Sequence, residues 1–528
     1  MQKQTIDTGT VSGTKSPQKP LRGYFRGGKL VWEREAPKWL VSLFPFLAHP
    51  HASEAKGIDY TNTRDFLFLP EIFSAKRHLY PETISFFIAL AVGLGLTLYL
   101  LKLISGLSVI TLVSGIIAAF YFCLMMFKLY VVYKSIATPF LDFTKEEIAA
   151  LRNEDLPVYT ILIPLYREEK VIRQILDAMT AIDYPAEKLD IIITLEEYDR
   201  PTIEAIRTES PPAHFKTLIL PDVKPKTKPK ALNVAFKNVT GEFLVIYDAE
   251  IIPDPDQLKK AVLAFRRHPE VACLQPRLDH YNTNQNILTK LFNAEFSFYY
   301  DLFLPGLWRL GFPIPLSGHS THVRTDVLKR VGAWDPYNVT EDCDLGMRFY
   351  RGGFKTAIIN SLSREEATPT LKAWIMQRTR WMKGFIQTSI VHLRHPLRTK
   401  NEFGGWKNFF AFLLTVPGTV AVNISNLLYW LMLAAWVATH AKVIQVFFPT
   451  PILYVSVTSF ILGNLIFTYL NLIGLYQRGK YQAVKYSALS PLYWIILATA
   501  TVRAAIQIVT KPHHWEKTTH GTHLAPKS

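Results

Sequence analysis

Apolar residues in this chain fall into two kinds of run, and their length and spacing separate them. Residues 84–101, 108–127, 409–439, 446–477 and 486–502 contain no charged side chain. About 20 apolar residues suffice to cross a bilayer, so the pattern predicts a polytopic protein with spans near 83–104, 108–132, 419–440 and 452–475. The shorter runs Tyr159–Pro164, Leu189–Leu195, Phe215–Leu220 and Phe243–Tyr247 alternate with helical patterns. That alternation predicts β-α-β units on a mostly parallel sheet, an α/β domain held between the membrane segments. Trp374–Leu393 interleaves Trp, Phe and Ile with Arg and Lys, the composition of a helix lying in the headgroup plane.

These runs divide the chain at 1–82 (cytosolic tail and surface segment), 83–134 (two spans), 135–370 (catalytic domain), 371–408 (interface helices), 409–476 (two spans), 477–510 (interfacial or re-entrant helix) and 511–528 (C-terminal loop). A break at Pro417-Gly418 would split the third apolar run into a surface helix and a span without changing the number of crossings. The run at 486–509 is long enough to span, yet it contains Pro491, Arg503 and Gln507.

Charge sets the expected orientation. Lys76, Arg77, Lys128 and Lys134 on the flanks of the first two spans outnumber Lys102 in the turn between them, which by the positive-inside rule puts residues 135–405 in the cytosol of a cell bounded by its plasma (inner) membrane. The formal net charge of +16 suits anionic lipid headgroups; no basic and aromatic stripe of a nucleic-acid surface accompanies it. No cleavable signal is expected, because the first apolar run follows a basic polar stretch without a small-residue cleavage pattern. Cys123, Cys273 and Cys343 lie far apart, which predicts reduced thiols and neither a disulfide nor a zinc site.

Four short motifs lie among these elements. Asp248-Ala249-Glu250 directly follows an apolar strand, at the rim where open α/β sheets bind ligands, and its two carboxylates suit a hard cation such as Mg²⁺ or Mn²⁺. Thr340-Glu341-Asp342 opens a helical pattern, as an N-cap box or as the source of a general base. Gln377-Arg378-Thr379-Arg380-Trp381 puts Gln377, Arg380 and Trp381 on one helical face, where an indole stacks on sugars and guanidinium groups neutralise phosphate. Trp515-Glu516-Lys517-Thr518-Thr519-His520-Gly521 closes the series.

In this order the motifs resemble those of the processive family 2 glycosyltransferases of the cellulose synthase and hyaluronan synthase group. The resemblance implies a GT-A, Rossmann-like catalytic domain. It also implies that Asp248 and Glu250 bind metal, that Glu341 and Asp342 supply the catalytic carboxylates with Asp342 as base, and that Gln377, Arg378, Arg380 and Trp381 hold the acceptor end and the diphosphate. Pro164-Leu165-Tyr166-Arg167-Glu168, Glu196-Glu197 and Lys228-Pro229-Lys230 resemble the donor-binding strand, acid pair and lysine box, which assigns Pro164, Tyr166, Glu168, Glu196, Glu197, Lys228 and Asp248 to the donor. Glu250 and Glu197 each stand where Asp is usual. The last motif resembles a gating loop, with Trp515, Thr518, His520 and Gly521 in the matching places and His where Lys is usual.

The expected activity is an inverting transfer from a UDP-sugar to a growing β-linked polysaccharide, coupled to translocation through the bilayer, with export or accessory subunits as possible partners. Two other readings stand beside it: a non-processive transferase that glycosylates a lipid carrier, and a non-catalytic membrane scaffold or transporter. A gating loop over a cytosolic site requires an even number of crossings, which leaves four spans and lays 486–509 at the interface.

Overall fold

The computed structural model describes residues 23–26, 29–32, 68–70, 73–77, 81–105, 108–136, 140–440 and 448–517. Most of the expected N-terminal tail and surface segment lies outside these residues. So do Thr518, His520 and Gly521 of the gating-type motif.

The expected α/β domain is built on eight strands: β1 (Tyr159–Leu165), β2 (Leu189–Glu196), β3 (Phe215–Leu220), β4 (Phe243–Ile246), β5 (Ile252–Pro253), β6 (Val271–His280), β7 (His322–Arg324) and β8 (Lys355–Glu365). Their order is β3-β2-β1-β4-β7-β6-β8-β5. The first four run parallel, with Tyr159 opposite both Leu189 and Phe243, while β7 is antiparallel to both neighbours. Both faces of the parallel half are covered, which is why these strands read as unbroken apolar runs. Ile161, Ile163, Ile191, Ile193 and Val245 pack into one core; the alternate residues Leu162, Ile192, Leu244 and Ile246 pack into the other. The strand order reverses at β1, between β2 and β4. Ligands of such sheets bind beyond the strand ends at that switch point, and Leu165 and Asp248 flank it.

Helices named below are α1 (Pro81–Ser105), α2 (Val109–Ser135), α3 (Lys228–Phe236), α4 (Ile287–Phe298), α5 (Glu341–Arg351), α6 (Leu371–Leu393), α7 (Trp406–Thr415), α8 (Pro417–Thr439), α9 (Thr450–Gln477) and α10 (Ser490–Thr510). The third apolar run is broken before Pro417, separating α7 from α8. Among the described residues, five helical segments are long and apolar enough to cross a membrane: Phe87–Ser105, Val109–Ser135, Pro417–Thr439, Thr450–Gln477 and Tyr481–Thr510. By length and composition the last belongs with the others. Its packing sets it apart, because α10 runs along α6: Tyr493 meets Trp374 at 4.8 Å near one end, and Gln507 Oε1 accepts from Lys383 Nζ at 3.1 Å near the other.

Two devices join the helices to the sheet domain. Arg478, just past α9, donates to both oxygens of Asp301 at 2.6 and 2.7 Å and to the Leu278 carbonyl at 2.5 Å, a bidentate, buried pair. Gly384 of α6 presses on the turn before α5, where a Cβ would stand 1.8 Å from Thr340 Oγ1. Backbone of α6 thus lies directly against the Thr340-Glu341-Asp342 turn. Gly384→Ala forces these apart at a cost of about 1–3 kcal/mol, so it should lower the melting temperature in detergent and reduce sugar transfer. An alanine variant that melts and turns over like the parent would show that the close approach is dispensable.

Candidate active site

The parallel strands end on a rim occupied by chemistry from every sequence motif whose residues are described. A cavity of about 370 Å³ opens there; Pro164, Tyr166, Glu168, Glu196, Lys228, Asp248, Glu250, Glu341, Asp342, Gln377, Arg378, Arg380, Trp381 and Trp515 line it. It continues without interruption between the membrane helices, where its walls include Tyr121 and Leu124 of α2, Asn423 and Asn426 of α8, and Asn464 and Asn471 of α9.

On the β1 side, Arg167 adopts a left-handed backbone (φ 55°) and its N–H donates to Asp199 at 2.5 Å, which turns the chain sharply after the strand. Tyr166 is thereby set edge-on to Tyr198, centroids 5.8 Å apart, with Lys226 Nζ 3.9 Å from the Tyr198 ring centre. Glu196 is buried and paired with Lys230 at 2.8 Å; burial raises its carboxyl against the opposing pull of that lysine. Glu197 is not brought to the site. It follows the last residue of β2, turns to solvent, and Tyr198 lines the cavity in its place.

Lys228 opens α3 and sends its ammonium to Asp248 Oδ1 at 2.6 Å and to the Gly318 carbonyl at 2.5 Å. Although burial alone would lower its pKa, Asp248 and Glu341 outweigh that and hold it above the usual lysine value. A Cβ on Gly318 would lie 2.9 Å from Asp342 Oδ2, so only glycine lets this loop come so close to the expected base. Glu341 and Asp342 form the first turn of α5. Burial, then the charge of Asp342, pushes Glu341 up to about 7; burial likewise raises Asp342, opposed by the Cys343 N–H and by Lys228. Among the described residues no cluster of three or more His, Cys, Asp or Glu could close around a metal by itself. Asp248 and Glu250 therefore offer at most a two-carboxylate, all-oxygen donor set, the partial shell typical of Mg²⁺ sites completed by phosphate and water.

Helix α6 contributes the opposite wall. Arg380 faces the Trp515 ring at 5.5 Å; burial lowers its pKa while Glu341 and Asp342 oppose the fall. Gln377 Oε1 accepts from Thr368 at 3.2 Å. Arg378, expected at the diphosphate, lines the cavity with its guanidinium already paired. Its guanidinium donates to both oxygens of Glu295 at 3.0 and 2.6 Å and to the Tyr493 hydroxyl at 3.1 Å, sandwiched between Phe292 and Trp381.

The C-terminal segment returns across this wall. Lys383 donates to the carbonyls of Lys511 and His514 at 3.3 and 2.6 Å, and Gln387 donates to that of Pro512 at 3.1 Å. His513 contacts the carbonyls of Tyr337 and Lys76. Glu516 takes a bidentate pair from Arg503 at 2.7 and 2.6 Å, and Lys517 pairs with Glu168 beside the donor-side strand. Sequence reasoning missed Lys230, Tyr198, His319, Glu365, Lys383 and Lys517. Lys230 lies within the lysine box and Lys517 within the C-terminal motif; Tyr198, His319, Glu365 and Lys383 are brought in by tertiary packing.

Residues 157–384 match the protein family described as Glycosyltransferase like family 2. The chain is 27% identical over 290 residues to the probable glycosyltransferase YdaM of Bacillus subtilis (strain 168), covering 53% of this chain and 69% of that one. It is 29% identical over 256 residues to cellulose synthase 2 of Novacetimonas hansenii, covering 46% and 15% respectively. Among solved structures, the mannosyltransferase PcManGT from Pyrobaculum calidifontis, in complex with GDP-Man and Mn²⁺, aligns with a TM-score of 0.45 at 17% identity, over 76% of this chain and 99% of that chain. Residues 157–384, which carry the mixed sheet and bring Asp248 and Asp342 to its cavity, are therefore a family 2 glycosyltransferase-like domain, and the chain that carries it is a glycosyltransferase.

Proposed function

We propose that this enzyme extends a β-linked polysaccharide from a UDP-sugar and passes the product outward between its membrane helices. The observation that carries this reading is the continuity of the cavity, which joins Asp342 to Asn423, Asn426, Asn464 and Asn471 in the helices. Polar side chains within a membrane segment are costly against lipid and mark a pathway instead. Asn426 Oδ1 and Asn464 Oδ1 are buried and accept no hydrogen bond. Hydroxyl groups of a glycan would supply the missing donors.

In the transfer, Asp342 takes the proton of the acceptor hydroxyl, whose oxygen bonds to the anomeric carbon as the bond from that carbon to the diphosphate breaks. Attack from the side opposite the leaving group inverts the linkage. Lys228 and Arg380 face the diphosphate, and Tyr166 and Tyr198 take the nucleotide base. The site already gathers the acids Asp248, Glu250, Glu341 and Asp342 around two cations, so an anionic diphosphate calls for a further positive charge. Asp248 and Glu250 would hold Mg²⁺ or Mn²⁺ to supply it.

The lie of α10 along α6 favours an interfacial α10, four crossings and a cytosolic C-terminal segment. Fusion of a protease-cleavable tag after Ser528 in inverted and right-side-out vesicles checks this; cleavage on the outer face would overturn it.

Reconstituted enzyme given labelled UDP-sugars should make a long, vesicle-enclosed or exported polymer from one of them. A product limited to one or a few sugars on an organic-extractable lipid would instead establish the lipid-carrier reading. Asp342→Asn should bind UDP normally while losing about 10²–10⁴-fold in rate; near-normal turnover removes Asp342 as base. Excess EDTA should abolish transfer and added Mn²⁺ or Mg²⁺ restore it, and full activity in the chelator would refute the metal assignment.

A further inference from the structure

We propose that His319 and Glu365 read the sugar of the donor, selecting among hexosyl configurations through hydrogen bonds to its hydroxyl groups. The inference rests on the reading above that the cavity takes a nucleotide sugar, and it assigns the part of that cavity which no sequence motif reaches.

The placement comes first. Glu365 is the last residue of β8, so it sits on the same strand-end rim as Asp248. His319 lies in the loop entering β7, next to Gly318, whose Cβ position is 2.9 Å from Asp342 Oδ2. Both line the cavity together with Asp248, Glu250 and Asp342. A base that activates the acceptor must lie near the anomeric carbon, so the ring of the transferred sugar has to rest against these neighbours.

The chemistry of the pair is the second observation. Nε2 of His319 lies 3.2 Å from one Glu365 oxygen, and Nε2 of His280 lies 3.3 Å from the other. Asn293 Nδ2 donates to His280 Nδ1 at 3.2 Å, which places the His280 proton on Nε2, facing Glu365. This second approach falls short of hydrogen-bond alignment. Two imidazoles thus flank the carboxyl group of Glu365, which keeps acceptor capacity toward the cavity. A carboxylate is a strong acceptor for sugar hydroxyls, and a site built to bond a hydroxyl discriminates strongly against a substrate that misplaces it.

The third observation is cost. Glu365 is buried and faces no Lys or Arg within ion-pair distance among the described residues. For stability alone an apolar or amide side chain would serve better in such surroundings. A ligand that donates hydrogen bonds accounts for the acid.

The test measures binding of UDP and of UDP-glucose, UDP-galactose, UDP-mannose and UDP-N-acetylglucosamine to the full-length enzyme in nanodiscs, for the parent, Glu365→Gln and His319→Gln. A hydrogen bond to a charged group corresponds to roughly tenfold or more in affinity. In both variants UDP itself should bind within about twofold of the parent, while the preferred UDP-sugar loses roughly tenfold and the ranking of donors flattens. His319→Gln, at the edge of the cavity, guards against a Glu365 variant that fails to fold. A donor ranking unchanged in both variants overturns the proposal, as does an equal loss of UDP and of every UDP-sugar, which would mark a structural role. If the parent binds no UDP-sugar at all, the donor reading falls, and this proposal with it; a parent that ranks donors separates the two.

Discussion

The interaction on which the rest of the structure depends is the node of Arg378, Glu295 and Tyr493. One guanidinium donates to a carboxylate twice and to a phenol once, and in doing so it pins α4, α6 and α10 to one another at a single point. Phe292 and Trp381 cover the guanidinium of Arg378, which is buried, while Glu295 keeps part of its side chain open to the cavity. Removing one member would leave a buried charge without its counter-charge, the costly way to break such a pair. From this point α6 carries Gln377 and Arg380 to the cavity, lays Gly384 against the Thr340 turn, and presents Lys383 to the C-terminal segment.

That node also explains what the sequence could and could not tell. The strands were legible because a parallel sheet covered on both faces needs continuous apolar runs, and Tyr159–Leu165, Leu189–Glu196, Phe215–Leu220 and Phe243–Ile246 all have them. Asp248 was legible because the end of a strand places it on the rim whatever lies beyond. The pairing of Arg378 with Glu295, 83 residues away, was not legible because nothing near Arg378 in sequence announces it. Glu197 was misplaced by the same blindness to direction: its neighbour Glu196 faces in, and the strand ends between them. His319 and Glu365 stayed hidden because their meeting is made by the loop before β7 and the end of β8, which are separated in the sequence by α5 and the Thr340-Glu341-Asp342 turn.

The α10 segment shows where composition stops being decisive. Its length and apolar content equal those of a span, yet its contacts with α6 at Trp374 and Lys383 hold it along a helix that is itself part of the site. Hydropathy reports how much apolar surface a helix carries. It does not report what covers that surface, and in α10 the polar Arg503 is committed to Glu516 of the C-terminal segment.

The contacts of His513 bring together the two ends of the described chain. Its ring lies against the carbonyl of Tyr337, three residues before Thr340, and against that of Lys76, ahead of the first membrane helix. Gln387 reaches the same Tyr337 carbonyl and the Pro512 carbonyl. The turn that presents Asp342 is therefore held from outside the cavity by residues remote from it in sequence, so a change at His513 or Gln387 would reach that turn without altering any group that lines the cavity.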